Sequence, residues 1–239
     1  MDIVDALDGR HGTTCFVGAG GKKTTMATLA ARLEQAVVTA TVRIPIFDGW
    51  VADVVVTESP RSAIDTASAW PLGVVPAQER PDRYRGYDPE TVADLADIAS
   101  PILVKADGAR MREFKAPSDR EPQLPATAST VVPIASAHVV GEPLTDDIVH
   151  RVDEVATITG RAPGDEIRPR DVAAVLASGR GGLKDVPADA TAIPLLNMVD
   201  DERLETNARA VAEAIHDRAD VPRVVLAEMR ADDPLVAVV

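Results

Sequence analysis

Short apolar runs recur along the chain at 14–17, 36–39, 54–57, 73–75, 102–106, 130–135, 192–196 and 223–227, each of strand length. Between them lie Ala-rich stretches of helical length, at 24–34, 89–99, 146–157, 169–178 and 201–218. Continuous apolar strands alternating with helical segments are the pattern of a parallel sheet joined by crossover helices. The last helix carries Leu204, Ala208, Val211, Ala212 and Ile215 at three- and four-residue spacing, so one stripe can face the sheet. Segments 76–88 and 111–128 are rich in Pro, Arg and acids without periodicity and are expected as long loops, which in a compact domain are usually functional or mobile. No repeat or low-complexity tract interrupts this rhythm. The expectation is a single α/β domain over 1–239, a three-layer, parallel-sheet, P-loop NTPase-like (Rossmann-like) fold. The stretch 160–186 is a candidate small helical insertion.

Composition narrows the picture. Aromatic residues are 3% of the 239, so Val, Ile, Leu and Ala must build the core. A net charge of -13 repels backbone phosphates over most of the surface and argues against a general nucleic-acid binder. Any anion site must therefore be local. Lysine occurs only at Lys22, Lys23, Lys105, Lys115 and Lys184, and this acidic, Lys-poor, Ala- and Val-rich composition reads as adaptation to high salt, with a GC-rich genome as the plainer alternative. The single Cys15 lies in an apolar run and is expected as a buried structural thiol. No apolar run of membrane length occurs, and the start Met1-Asp2-Ile3-Val4-Asp5 lacks a basic and hydrophobic leader, so a cytoplasmic protein without membrane partners is expected.

The chemistry concentrates where the first strand meets the first helix. Gly18-Ala19-Gly20-Gly21-Lys22-Lys23-Thr24-Thr25 links them. Glycines let backbone amides curl around phosphate oxygens, the helix start adds partial positive charge, and a lysine reaches the terminal phosphates. The string G-x-x-x-x-G-K-[ST] is not matched, because Phe16 stands at the first glycine. The shorter G-x-x-G-K-x-T form is matched and resembles the loop of Mur-type ligases. Lys22 is the expected phosphate lysine, with Lys23 as competitor, and Thr24 the expected metal hydroxyl, with Thr25 beside it. A plain glycine turn is the structural alternative.

A second strand, 102–106, ends in Asp107-Gly108. An aspartate at that position beside a phosphate loop can hold Mg²⁺ directly or through water, and a turn-forming Asp-Gly is the alternative. Arg110, Arg112 and Lys115 follow in a proline-punctuated loop and are candidate clamps on a charged ligand.

The pattern D-G-A-x-x-x-x-x-K-A-P-x-x-x-E-P at 107–122 resembles the signature of the YqeC-like family, described as selenium cofactor biosynthesis or selenium-dependent molybdenum hydroxylase accessory proteins. Also similar are the loop Val17-Gly18-Ala19-Gly20-Gly21-Lys22; Arg85-Gly86-Tyr87-Asp88-Pro89-Glu90; Gly141-Glu142-Pro143-Leu144 with His150-Arg151; and Leu195-Leu196-Asn197-Met198-Val199-Asp200. These span about 16–214. The chain departs from the family pattern at Lys23, Lys105 and Met198, where Thr, Glu and Lys are favoured. The resemblance implies an accessory protein acting with a molybdenum hydroxylase or its maturation proteins.

Asn197 and Asp200 follow the strand at 192–196 in the manner of the element with which GTPases read guanine, a carboxylate accepting two N–H bonds and an amide serving the base. A strand end followed by a helix N-cap is the alternative, so ATP and GTP both stand as cofactor, with Mg²⁺. Thr39, Thr41 and Arg43 follow the second strand, where the resemblance places a threonine-rich stretch ending in a basic residue; contact on the γ-phosphate side and plain strand propensity are equal alternatives. His150 is expected on a helix. The leading functional expectation is a nucleotide-binding accessory protein with Mg²⁺-dependent NTP hydrolysis or phosphoryl transfer. A nucleotide-gated chaperone without turnover and a Mur-type ligase are the alternatives.

Overall fold

The computed structural model describes all residues, Met1–Val239. Its centre is a ten-stranded sheet built from β1 (Thr13–Gly18), β2 (Val37–Ala40), β4 (Asp53–Val56), β5 (Leu72–Val75), β8 (Ile102–Lys105), β10 (Ala128–Ser136), β12 (Thr191–Ala192), β13 (Leu195–Asn197), β14 (Val225–Ala227) and β15 (Leu235–Val238). The order is β15-β14-β13-β10-β1-β8-β2-β5-β4, with β12 beside β10. Every neighbouring pair is parallel except β14 with β15. The α/β, mostly parallel, Rossmann-like architecture is therefore as the apolar rhythm implied. All eight expected strands are present within a few residues; β15, a four-residue edge strand, was not foreseen.

Helices α1 (Ile3–Ala6), α2 (Lys22–Ala30), α3 (Pro60–Asp65), α4 (Pro89–Ala93), α5 (Val152–Thr159), α6 (Pro169–Leu176) and α7 (Glu202–His216) complete the molecule. Successive β1 side chains serve opposite layers: Phe16 packs with Met26 and Leu29 of α2, whereas Cys15 and Val17 pack with Val92 and Leu95 beside α4. Alternation along a strand buried on both faces requires this. The stripe on α7 packs with Val172, Val175 and Leu176 of α6, so part of 160–186 belongs to this layer.

Three segments differ from expectation. Residues 76–88 are not a plain loop: β6 (Gln78–Arg80) and β7 (Arg83–Tyr84) pair antiparallel, with β3 (Ile44–Pro45) on the far side of β7. Phe47 and Tyr84 dock this small sheet, their rings 5.6 Å apart and both buried. Their hydrophobic burial outweighs the local polarity that hid the strands. The expected helix 146–157 starts only at Val152, because Val149 and His150 form β11 against β9 (Phe114–Lys115) and Arg151 takes a left-handed conformation at φ 67°. His150 is thus on a strand. Finally, 89–99 divides into α4 and a tight 3₁₀ turn.

The chain runs from β1 to one side through α2 and β2, then crosses from β8 past β1 to β10 and outward to β13. Beyond the carboxyl ends of β1 and β8, where strand order reverses, an open α/β sheet forms its ligand crevice.

Candidate functional site

The glycine loop is compact, for reasons visible residue by residue. A Cβ at Gly18 would lie 2.3 Å from the Ile134 carbonyl oxygen, and one at Gly20 would lie 2.4 Å from the Ser136 nitrogen. Gly21 caps α2 at φ 120°, with Asn197 Nδ2 where a Cβ would stand. Only glycine lets the backbone approach β10 and Asn197 this closely.

The amides of this loop divide into two sets. Gly18 donates to Asp107 Oδ2 at 2.8 Å, Ala19 to Ile134 O at 2.9 Å and Gly20 to Arg112 O at 3.3 Å. Those three hold the loop together. The amides of Gly21, Lys22, Lys23 and Thr24 have no acceptor in the protein, as the first turn of a helix leaves them. The unshared donors thus begin at Gly21, later in the chain than the glycine pattern suggested. Thr25 is buried, its hydroxyl donating to Gly21 O at 3.1 Å, while Thr24 lines the open side.

Beneath the loop lies a charged core. Lys22, only 5% exposed, donates to Gly18 O and stands 2.8 Å from Asp107 Oδ1. Lys115 lies 2.9 Å from Asp107 Oδ2 and 2.7 Å from Glu121 Oε2. Burial alone would raise the Asp107 pKa, but the two ammonium groups and the Gly18 amide outweigh it and hold the carboxylate ionised. Glu121 accepts as well from the Gly108 amide at 3.1 Å and Arg151 Nη1 at 2.6 Å. Burial opposes its ionisation, yet Lys115, the Gly108 amide and Arg151 depress its pKa to about 2. Lys184 donates to the carbonyls of Ser118, Asp119 and Glu121, fixing the loop that carries this acid.

Lys105 completes the floor, its Nζ 2.8 Å from both Arg43 O and Asp107 O. Burial, reinforced by Lys22 and Lys115 against Asp107, lowers its pKa to about 7. All five lysines therefore converge on this site or its supporting loop.

Above the floor opens a cavity of about 920 Å³. Basic residues lining it are Lys22, Lys23, Arg43, Arg80, Arg83, Lys105, Arg110, Arg112, Arg151 and Arg230, against Glu113 and Glu121 as acids. In a chain of net charge -13 this is a local inversion of sign, suited to an anion. His150 lines it too; burial and the cations Arg151, Lys115 and Arg110 lower its pKa to about 4, so the ring is neutral near pH 7.

The predicted residues do not all meet here. Ala19, Gly20, Gly21, Lys22, Lys23, Thr24 and Arg110 line the cavity, but Asp107, 1% exposed, and Lys115 lie below it. Asp107 does not suit a direct Mg²⁺ ligand, because its oxygens already face two ammonium groups and a cation would be repelled. Asn197 is buried and structural, bridging Gly20 O at 2.8 Å and the Met229 amide at 3.2 Å. Asp200 lies 2.8 Å from His138 Nε2, outside the cavity. Thr39 and Thr41 donate to the carbonyls of Val74 and Gln123, whereas Arg43 does reach the cavity. Sequence reasoning missed Arg80, Arg83 and Arg230 as lining residues and Glu121 as the acid joining Lys115 to Arg151. The dense Arg80-Pro81-Asp82-Arg83 run and the glutamate in the 107–122 pattern were the available signals.

No helix is long and apolar enough to cross a membrane. No solved structure matches the chain. A curated relative, uncharacterized protein YqeC of Escherichia coli (strain K12), is 29% identical over 117 residues, a stretch covering 48% of this chain and 46% of that protein. This chain thus spans about half the length of the relative it matches. The family model described as YqeC protein matches residues 14–153, which contain the glycine loop, the Asp107–Pro122 segment and most of the cavity floor. The chain belongs to the YqeC family.

Proposed function

We propose that this protein is a nucleotide-binding accessory protein that takes the phosphates of ATP or GTP at the start of α2. One observation carries the reading: four unshared amides, Gly21 to Thr24, open onto a strongly basic cavity in an acidic chain. Lys23 and the helix dipole supply charge next to those amides, and a volume of about 920 Å³ lies within the range of roughly 300–1,000 Å³ usual for small-molecule pockets. The resemblance described above extends the proposal to maturation of selenium-dependent molybdenum hydroxylases. Cys15 is fully buried, so a covalent selenium carrier on this thiol is not part of it.

Binding without rapid turnover is the form best supported, with nucleotide occupancy setting affinity for a protein partner. The Asp107 carboxylate is neutralised by two lysines, which leaves no strand-end acid free to hold a metal beside the phosphates. Phosphoryl transfer is a second reading, favoured by Glu113. That cavity carboxylate forms no ion pair with a lysine or arginine, its nearest basic side chain being His138, with Nδ1 at 4.0 Å, and it is able to accept a proton from an acceptor group.

Calorimetric titration with ATP and GTP, with and without Mg²⁺, tests the binding reading, and parallel phosphate-release assays separate the two forms. Micromolar binding without multiple-turnover release supports the occupancy switch. Release that depends on Glu113 supports transfer. Absence of binding to either nucleotide sinks both.

A further inference from the structure

The wall of the cavity formed by the small antiparallel sheet has a chemistry of its own. Arg80 and Arg83 are paired residues of β6 and β7, directly opposite each other across the ladder, and both line the cavity. Like charges in this relation destabilise a sheet unless something neutralises them. Arg80 has no acidic partner, and Arg83 has only its exposed neighbour Asp82 at 3.3 Å.

The hairpin that presents them is firmly based. Tyr84 turns inward against Phe47 and bonds Asp48 Oδ2 at 2.8 Å, so the preceding Arg83 is directed to the other face. Gly73 leaves room for Phe47, since a Cβ there would lie 2.7 Å from the ring. Arg43 precedes β3, and its carbonyl accepts from Lys105, tying this wall to the floor. Two guanidinium groups on paired residues offer planar, bidentate donors, which match a carboxylate or a phosphate better than a point charge does.

We propose that Arg80 and Arg83 form a second anion subsite, which binds the carboxylate or phosphate of an acceptor molecule sharing the cavity with the nucleotide. This rests on the nucleotide reading for the first subsite. It adds a substrate class: a small anionic acceptor, held by the hairpin wall of the cavity that the α2 amides also line.

The test uses the full chain saturated with ADP, titrated in low salt with pyrophosphate or with citrate. One further equivalent of anion is expected to bind. The double variant Arg80→Gln/Arg83→Gln is expected to keep its melting temperature and its ADP affinity within about threefold, and to lose the second anion by about tenfold or more. Preference for pyrophosphate assigns a phosphate ester, and preference for citrate a carboxylate; either supports the subsite. No second equivalent, or a second equivalent unaffected by the double variant, overturns it. Equal loss of ADP also overturns it, because the pair would then serve the nucleotide itself. Failure of the unsubstituted chain to bind ADP removes the first subsite alone; pyrophosphate titration of both proteins then reads the arginine pair directly, with no difference between them overturning it.

Discussion

The lysines and the arginines of the cavity behave as two different materials. Lys22, Lys105, Lys115 and Lys184 are held by carboxylates or carbonyls at the ends of β1 and β8 and in the loop after them, and the first three are buried. Arg80, Arg110, Arg112 and Arg230 line the open cavity without acidic partners. Buried charge needs a fixed counter-charge, so the lysine end builds and stiffens the loop. Guanidinium groups facing an open cavity can wait for a ligand in water at little cost. One end is therefore predicted to govern stability, the other affinity.

The largest effect should follow from breaking the lysine end. Asp107→Asn leaves buried Lys22 without a counter-ion and Lys115 with Glu121 alone, and an uncompensated buried charge costs about 3–5 kcal/mol. Chemical denaturation should show it, and a loss under about 1 kcal/mol would mean that this end is not held by charge.

Asn197→Ala should come next. It removes two buried bonds that tie the glycine loop to Met229, at about 2–4 kcal/mol. The loss should be the same with ATP or GTP present at equal occupancy. A selective loss of GTP binding would instead restore a base-reading role.

Lys23→Ala touches the ligand side of the same helix. Stability should stay within about 0.5 kcal/mol, while nucleotide affinity falls about tenfold. The reverse outcome would move Lys23 into the structural set.

The smallest effect is a pH dependence. An anion in the cavity favours protonated Lys105, so binding takes up a proton near neutrality, and affinity declines as pH rises above the free-protein value of about 7. The sign for stability is opposite. Because the folded value lies below that of the unfolded lysine, Lys105 lowers stability most at pH below 7, and this penalty fades as pH rises from there toward 10.5. Lys105→Met should flatten both slopes in titrations from pH 6 to 9.

Much of the frame was legible beforehand. Apolar runs flanked by Ala-rich segments specify parallel strands and helices because continuous burial leaves a continuous signal, as at Ile102–Lys105. Short polar strands carry no such signal: Gln78–Arg80 is exposed throughout and is made a strand by Tyr84 and Phe47 docking nearby. The helical reading of 146–157 failed similarly, since pairing with Phe114 and Lys115 decides the conformation of Val149 and His150.

The amino-acid order by itself determined the α/β layering and the glycine loop between β1 and α2. It also kept lysine to five positions, four of them in the loop and in β8 with the segment that follows. Tertiary structure alone decided the roles within that site. It turned Asp107 into a buried counter-ion, Asn197 into a clamp, and a proline-punctuated hairpin into an arginine wall. The reason is physical: periodicity is a local property, whereas the role of a charge depends on which other charges the fold brings within a few ångströms and how much water remains between them.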